Sequence, residues 1–290
     1  MTDEAVAESQ RPGSRAHDAP DNRPRGVSWQ DGAVVQNYLT GVRGAIPGAA
    51  EQLAMMVRLV AALERPIHRV LDLGAGDGVL TATLLGAFPG AEATIVDFSP
   101  PMLAAARARF ANTQPPVRIF ERDLGQTGWT HGLVASAPFD VIVSGYAIHH
   151  LPDGRKQVLY AEVFDLLAPG GVFINMDHVA SSSVRLAGMF DQAMVDALTQ
   201  FRRQETPDLS REAVEAEYVN RPDRLDNILA SVDVQCDWLR TIGFQEVDCF
   251  FKWFELAMFG GFKPVESPDG EPLPGRIGDA TSSAPGPAPG

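Results

Sequence analysis

Cysteine is nearly absent from this sequence: Cys236 and Cys249 are the only two among 290 residues. Two isolated thiols indicate neither a disulfide framework nor a cysteine-based metal cluster, and free thiols are typical of a reducing compartment. The sequence also lacks an apolar run of the ~20 residues that cross a bilayer, and the apolar core of a secretory signal. We therefore expect a cytoplasmic protein without a membrane partner.

Positive charge is also scarce, with 24 Lys and Arg against 37 Asp and Glu and a formal net charge of -13. Nucleic acids and anionic membranes attract basic surfaces, so this balance disfavours both as partners. The 45% hydrophobic content is ordinary for a globular chain. A small-molecule ligand is therefore the expected partner, and a homodimer stays open.

Composition divides the chain into three parts. Residues 1–25 and 264–290 are rich in polar residues, proline or glycine and have little to bury, so we expect disordered tails. Residues 26–263 should form one domain. Within it, residues 29–63 have helical periodicity interrupted at Ile46-Pro47-Gly48, and we expect these helices to cover the ligand site as a lid.

The most informative stretch, residues 70–80, has the sequence V-L-D-L-G-A-G-D-G-V-L. Its apolar first half predicts a parallel strand buried on both faces. Gly74, Gly76 and Gly78 predict a tight turn that leads into a helix and lets a ligand approach the backbone. Such a turn is where α/β folds hold nucleotides, so this is the expected ligand site.

The spacing of the glycines disfavours a nicotinamide dinucleotide as the ligand. A dinucleotide fingerprint, G-x-G-x-x-G, would require a third glycine where Val79 stands. Asp72 precedes the turn instead, and Asp77 lies inside it. Two carboxylates would repel a pyrophosphate but suit a ligand that carries positive charge.

Two more strands follow, each with an acidic residue at or just past its end. The second, residues 93–97, ends at Asp97, about 20 residues beyond the turn, where a carboxylate can accept hydrogen bonds from ribose hydroxyls. The third, residues 117–120, is followed by Asp123 and Leu124. A helix over residues 100–110 should connect the two strands.

The middle of the chain continues the alternation of strands and helices. Residues 139–144 predict a fourth strand, followed by G-Y-A-I-H-H-L at residues 145–151. A helix over residues 153–167 and a turn at residues 168–171 should then lead into a fifth strand, residues 172–176.

The last third of the domain predicts more helix and then a hairpin. Residues 183–204 and 211–241 have amphipathic periodicity, and we expect the second helix to bend at Pro222. Together they form a helical insertion over about residues 181–241. Residues 244–251 and 253–259 predict a terminal antiparallel hairpin.

In this order, the segments resemble the class I S-adenosylmethionine-dependent methyltransferases, with five motifs between Val70 and Asp177. The resemblance implies a doubly wound, mostly parallel seven-stranded α/β sheet of the Rossmann-like type with a C-terminal antiparallel hairpin. It also implies the cofactor S-adenosyl-L-methionine, which carries an ammonium and a sulfonium but no phosphate. The implied activity is methyl transfer to a small-molecule acceptor.

The resemblance assigns cofactor roles to individual residues. Asp97 should bind the ribose, Asp123 the adenine amino group, and the backbone N–H of Leu124 the adenine ring. Gly74 and Gly76 should let the backbone approach the cofactor. The complete expected set is Asp72, Gly74, Gly76, Asp97, Phe98, Asp123, Leu124 and Gly145.

Two histidines are the candidates for catalysis. His149 and His150 follow the fourth strand at the ligand-binding edge, and histidine can act as a general base near neutral pH. In the alternative interpretation, one of them is structural and packs under the cofactor. Asp177 and His178, at the end of the fifth strand, should face the acceptor pocket. The spacing of these residues does not require a metal, and none is expected.

A subgroup resemblance leaves a second reaction open. The late helix, Arg211 to Thr241, with Trp238-Leu239 leading into Gly243-Phe244, resembles carboxy-S-adenosylmethionine synthases and related small methyltransferases. In those synthases an arginine of the late helix holds the extra carboxylate of the cofactor, and Arg221 and Arg224 both lie near the matching position. The alternatives are therefore such a synthase or a cofactor-binding module without catalysis.

Overall fold

The computed structural model describes residues 27–265, so nearly all of both expected tails lies outside this range. The strands in the described part are β1 (Arg69–Leu73), β2 (Glu92–Asp97), β3 (Arg118–Glu121), β4 (Phe139–Gly145), β5 (Leu167–His178), β6 (Gln245–Trp253) and β7 (Leu256–Phe262). They form one sheet in the order β3-β2-β1-β4-β5-β7-β6. The first five strands run parallel, and β7 runs antiparallel to both of its neighbours. The predicted seven-stranded Rossmann-like sheet with a terminal hairpin is confirmed.

Helices cover the sheet and its ligand-binding edge. They are α1 (Gly32–Asn37), α2 (Ala49–Ala61), α3 (Val79–Ala87), α4 (Pro100–Arg109), α5 (Asp153–Leu166), α6 (Val184–Arg202), α7 (Arg211–Val219) and α8 (Val232–Ile242). Between α1 and α2 the chain forms a π-helical turn, Tyr38–Val42, and a 3-10 turn, Arg43–Ala45. In residues 27–265 there is no helix whose length and hydropathy would suit a bilayer.

Alternate strand residues pack against different helices. Leu71 and Ile142 belong to the cluster formed with α5 and α8, whereas Val70 and Val141 belong to the cluster formed with α2 and α3. Burial on both faces explains why these strands are continuous apolar runs in the sequence. The doubly wound arrangement brings the carboxyl ends of the parallel strands to one edge, where ligands of such folds bind.

Serine residues fix where four of the helices begin. Ser99, Ser183, Ser210 and Ser231 are the N-caps of α4, α6, α7 and α8. Each side chain accepts a hydrogen bond from the backbone N–H three residues further on, which satisfies a donor that the helix leaves unpaired. The Ser99 cap positions the first turn of α4, which lies beside the larger of the two cavities described below.

The turn expected at residues 168–171 is wrong. Strand β5 begins at Leu167, opposite Phe139, and the pairing register shifts before the next pair, Val141 with Val172. Backbone hydrogen bonds also join Gly170 and Gly171 to Lys263 just after β7. Pairing with strands on both sides keeps this proline- and glycine-containing segment in the sheet as an irregular strand start.

The helix expected over residues 211–241 is broken rather than bent. Helix α7 ends at Val219, a 3-10 turn occupies Pro222–Asp226, and α8 begins at Val232. Proline lacks the N–H that a continuous helix needs, and it disfavours helical geometry at the preceding residue, Arg221. The break lets the chain return to the sheet edge, where Ile228 N–H donates to the carbonyl of His149.

Candidate active site

The glycine turn after β1 has a backbone that requires glycine. Gly74, Gly76 and Gly78 have φ angles of 61°, 55° and 80°, in the left-handed region that side chains disfavour. A Cβ atom on Gly74 would lie 2.2 Å from the Cβ of Ala147, and one on Gly78 would lie 2.4 Å from the Phe110 ring. The turn is therefore held close to its neighbours, with its backbone open to a ligand.

A cavity of about 750 Å³ lies above this turn, a volume typical of small-molecule and cofactor sites. The structure brings all of the expected cofactor residues into its lining. These are Asp72, Gly74, Gly76, Asp97, Phe98, Asp123, Leu124 and Gly145. The role of each toward the cofactor stays a prediction.

Asp97 is fixed at the end of β2 by the backbone around it. One carboxylate oxygen accepts from Gly76 N–H and the other from Ser99 N–H, both at 2.8 Å. Burial raises the pKa of this carboxyl, and these backbone donors act in the opposite direction. The remaining lone pairs of a carboxylate held in this way suit hydroxyl donors such as those of ribose.

Asp72 is fully buried, and half of its carboxylate is satisfied by the protein. Its Oδ2 accepts from the hydroxyl of Thr81 at 2.7 Å and from the Thr81 N–H at 3.2 Å. Its Oδ1 has no hydrogen-bond partner among the described residues. Burial raises the pKa of Asp72 to about 7. A buried carboxylate oxygen without a donor fits a cationic ligand group, so this position suits the ammonium of S-adenosylmethionine.

Asp77 was expected to offer negative charge to the ligand, but two arginines neutralise it. Its two carboxylate oxygens bond to Arg43, from the segment before α2, and to Arg109 at the end of α4. Burial alone would raise the pKa of Asp77, but the hydrogen bonds from the two arginines outweigh it and hold the pKa below its usual value. Asp77 therefore ties the predicted lid to the glycine turn.

Asp123 and Leu124 form the other end of the large cavity. Asp123 is exposed, and its Oδ1 accepts from the N–H of Gly125 at 2.7 Å, so a local turn orients the carboxylate. The Leu124 carbonyl accepts from Arg155 Nε at 2.7 Å, which fixes the peptide beside it. This end of the cavity thus combines an acidic side chain with an ordered backbone.

A second cavity, of about 160 Å³, adjoins the first. Trp29, Tyr38, Ile46 and Tyr146 line both. The outer wall of the second cavity comes from the helical insertion, which contributes Phe190, Met194, Leu198 and Val214. The helical insertion thus lines this cavity.

His149 presents a histidine–aspartate pair to the smaller cavity. Its Nδ1 lies 2.6 Å from Oδ1 of Asp177, a side chain that is fully buried. Asp177 also accepts from Asn175 Nδ2 at 3.2 Å and from its neighbour's backbone, His178 N–H, at 3.0 Å. These donors hold the carboxylate in place, so the imidazole of His149 has a fixed orientation.

His150 differs from His149 because the protein uses both of its ring nitrogens. Trp29 Nε1–H donates to its Nε2 at 3.1 Å, and its Nδ1 lies 3.3 Å from the carbonyl of Asp226. Burial, with a smaller contribution from His149, lowers the pKa of His150 well below its usual value. These contacts favour the structural interpretation for His150, and the prediction of a catalytic histidine then rests on His149.

Two partners of the lining residues, Glu255 and Gln52, were missed by sequence reasoning. Glu255, in the turn between β6 and β7, lies 2.8 Å from Nε2 of His178, and Tyr146 donates to Gln52 at 2.9 Å. An acidic residue in a hairpin turn gives no signal of its partner in a sequence. Tyr146 has a φ of 54°, unusual for a residue with a side chain, and such strain is common at ligand sites.

Comparison with known proteins supports the predicted class. A family model described as a methyltransferase domain matches residues 71–173. The carboxy-S-adenosyl-L-methionine synthase of Aeromonas hydrophila is 24% identical over 82% of this chain and 90% of its own length. That of Chromohalobacter salexigens is 27% identical over 80% and 82%. The demethylmenaquinone methyltransferase of Thermus thermophilus is 34% identical over 40% of this chain and 50% of its own length.

Solved structures agree on the fold. The apo methyltransferase SibL superposes with a TM-score of 0.50 at 22% identity, over 77% of this chain and 61% of its own. PigF with S-adenosylhomocysteine superposes with a TM-score of 0.53 at 18% identity, over 82% and 61%. This chain thus spans about three fifths of those two structures.

These findings confirm the predicted class: the chain has the fold of the class I S-adenosylmethionine-dependent methyltransferases. The methyltransferase-domain model matches residues 71–173, and these findings support S-adenosyl-L-methionine as the cofactor.

Proposed function

We propose that this protein transfers the methyl group of S-adenosyl-L-methionine to an oxygen atom of a small molecule, with His149 as the general base. The observation that carries the proposal is the His149–Asp177 pair in a cavity that adjoins the cofactor cavity. When bound, the cofactor supplies a methyl group already activated by the sulfonium. The protein must then align the acceptor, exclude water and take the acceptor's proton.

The proton step follows from the geometry of the pair. With Asp177 beside Nδ1, the neutral imidazole of His149 keeps its proton on Nδ1 and presents a lone pair at Nε2. Nε2 can then accept the proton of an acceptor hydroxyl while the buried carboxylate stabilises the imidazolium that forms. A positioned base of this kind contributes roughly 10²–10⁴-fold in rate.

The lid limits the access of water to the reaction. The Trp29 carbonyl accepts from the Ser99 hydroxyl, its indole donates to His150, and Arg43 bonds to Asp77. These contacts tie the segment before α2 to the glycine turn, to α4 and to the end of β4. Binding and release of the cofactor would require the lid to open.

The test is calorimetry with S-adenosylmethionine, followed by an acceptor screen that measures S-adenosylhomocysteine. His149→Gln should lower turnover at least about 100-fold with the cofactor affinity unchanged. The residual rate should rise with pH, because an acceptor that ionises by itself no longer needs a base. Exposed His131 offers a matched control, His131→Gln. Turnover that is unaffected in His149→Gln would overturn the assignment, and cofactor binding without turnover on any acceptor would favour the non-catalytic module.

A carboxy-S-adenosylmethionine synthase-like activity is the second candidate, because the similarity to those synthases spans most of both chains. Arg221 lines the smaller cavity and stacks on Tyr218, with its guanidinium carbon 4.0 Å from the ring centroid. Arg224 lines neither cavity and bonds to Asp191 at 2.8 Å. Arg221 is therefore the better candidate for a carboxylate ligand. A carboxylated cofactor found by mass spectrometry of the purified protein would support this reaction.

The proposal extends to location and partners. We propose a cytoplasmic enzyme, since Cys236 and Cys249 are both free thiols. The net charge of -13 supports a small-molecule acceptor over a nucleic acid. A homodimer would be detected by size-exclusion chromatography with light scattering.

A further inference from the structure

A second histidine–carboxylate pair, whose histidine lines the smaller cavity, has no part in the proton step. His178 Nε2 lies 2.8 Å from Oε2 of Glu255, and the two side chains are 14% and 7% exposed. The His178 and His149 rings meet edge to face, with centroids 5.7 Å apart. Both belong to the lining of the 160 Å³ cavity, on the wall made by the ends of β4 and β5.

The two histidines present the same kind of atom to a ligand. Burial lowers the pKa of His178, so the ring is neutral at pH 7 and carries a single proton. The Glu255 carboxylate holds that proton at Nε2, which leaves a lone pair at Nδ1. The His149 ring likewise has a lone pair at Nε2, and no group in residues 27–265 donates to either nitrogen. The wall therefore offers two hydrogen-bond acceptors.

Two acceptors on one wall require two donors on the ligand. Hydroxyl groups provide them, whereas a carboxylate, phosphate or ketone would bring only lone pairs. An anion would also face Asp177 and Glu255, which lie directly behind the histidines. Arg202 and Arg221 also line the cavity, but each is paired with a carboxylate of the protein, Glu217 and Asp223. The part of the ligand that meets the histidine wall is thus uncharged and has two O–H groups close together.

The remaining walls restrict the shape of the ligand. Phe190, Met194 and Leu198 form an apolar side next to the polar wall, and the Phe190 ring packs 5.2 Å from the His178 ring, centroid to centroid. An apolar cavity of about 150 Å³ holds one benzene ring, close to the volume here. Hydroxyls on opposite edges of such a ring could not both reach the same wall, but adjacent hydroxyls can.

We propose that the acceptor is a single aromatic ring with two adjacent hydroxyl groups. His149 takes the proton of the hydroxyl that is methylated, and His178, positioned by Glu255, accepts a hydrogen bond from the other. The methyl carbon leaves the sulfonium sulfur and bonds to the oxygen, the sulfur keeps the bonding electron pair, and the hydroxyl proton passes to His149. This inference rests on the proposed function.

The test compares catechol with phenol, resorcinol and hydroquinone as probes, measuring S-adenosylhomocysteine formation and the methylated product. The wild-type kcat/KM for catechol should exceed that for phenol at least about 100-fold, because a site built to bond a hydroxyl strongly rejects an analogue that lacks it. Resorcinol and hydroquinone should react no better than phenol.

Substitutions of His178 should change the preference for catechol over phenol without changing cofactor binding. His178→Phe should bring catechol to within about threefold of phenol by loss of activity on catechol. His178→Gln, which keeps a carbonyl acceptor, should recover part of the preference, and His131→Gln serves as the control. The cofactor affinity measured by calorimetry should stay unchanged in all of these variants.

The results that would overturn this inference differ from those that would refute the proposed function. A protein that binds S-adenosylmethionine but prefers phenol overturns this inference and leaves the proposed function standing. A protein that methylates an amine and not catechol overturns both this inference and the proposed oxygen acceptor. Equal catechol preference in His178→Phe and wild type overturns the role of His178. A protein that binds no S-adenosylmethionine refutes the proposed function as well.

Discussion

The ionisable residues of the site owe their properties to partners that lie far away in the sequence. Asp72 and Asp77 flank one turn, yet burial raises the pKa of the first to about 7, and two arginines hold that of the second below its usual value. The glycine spacing was enough to predict the turn and Asp72. Sequence could not predict the neutralisation of Asp77, because Arg43 and Arg109 come from separate elements that only the fold brings together.

Asp72 should make the stability of the cofactor-free protein depend on pH. Its folded pKa lies above the unfolded value, so its contribution is fully favourable below about pH 4 and is lost as the pH rises through about 7. A shift of this size corresponds to at most about 4 kcal/mol. Asp72→Asn should therefore be more stable than wild type at pH 8 but not at pH 4, as measured by urea unfolding. Parallel pH profiles for the two proteins would contradict the assignment.

Asp97 should contribute to cofactor affinity more than to stability. Asp97→Ala removes a charged hydrogen-bond acceptor, which typically contributes about 1.5–3 kcal/mol, so the affinity for S-adenosylhomocysteine should fall roughly 10–150-fold. Calorimetry measures this, with circular dichroism to check the fold. Asp165→Ala, an exposed change on α5, is the control. Unchanged affinity in Asp97→Ala would show that Asp97 does not bind the cofactor.

At the scale of elements, the parallel strands were predictable because each is an apolar run that ends at a turn or a polar residue. Strands β2 and β4 start and end within about a residue of the expected positions. The break before α8 was harder to predict from the sequence, because a proline inside a periodic pattern is compatible with both a bend and a break. The pairing of His178 with Glu255 depends on the register of β5 and β7, which sets His178 opposite Leu256.

The contact between β5 and β7 should tolerate no added side chain at Gly260. A Cβ there would lie 1.9 Å from the carbonyl oxygen of Phe173, which is backbone and cannot move aside. Gly260→Ala should lower the free energy of unfolding by more than about 3 kcal/mol, beyond the range of ordinary point mutants. Gly188 in α6 has no atom within 4 Å of its Cβ position, so Gly188→Ala should stabilise by about 0.5–1 kcal/mol. Equal stabilities of the two variants in urea would contradict this packing.

The lid should be held partly by the Trp29–His150 hydrogen bond. Trp29→Phe removes the indole donor and leaves Nε2 of His150 without it. A neutral hydrogen bond contributes about 1 kcal/mol, so S-adenosylhomocysteine should dissociate roughly fivefold faster in stopped-flow measurements. Exchange of the amide hydrogens of residues 27–45 should also increase. Exchange and dissociation rates equal to those of wild type would show that this bond does not hold the lid.

At the scale of the whole molecule, the ligand that the protein binds should raise its melting temperature. A ligand present at 100 times its dissociation constant stabilises a protein by about 2.7 kcal/mol, or roughly 5–10 °C for a domain of this size. S-adenosylhomocysteine should produce such a shift in differential scanning calorimetry. NAD should produce none, because Asp72 disfavours a pyrophosphate and Val79 stands where a dinucleotide site needs its third glycine. A shift with NAD would mean that the glycine turn was misinterpreted.

The position of Glu255 has a consequence for how this enzyme could diversify. The residues that we predict to hold the cofactor lie mainly in the turns that follow β1, β2 and β3, whereas the partner of His178 comes from a hairpin turn at the other end of the chain. A substitution at Glu255 can therefore retune which acceptors are methylated while the cofactor site keeps its sequence. Homologues with the same glycine turn and a different residue in that hairpin should form a natural series of altered substrate preference.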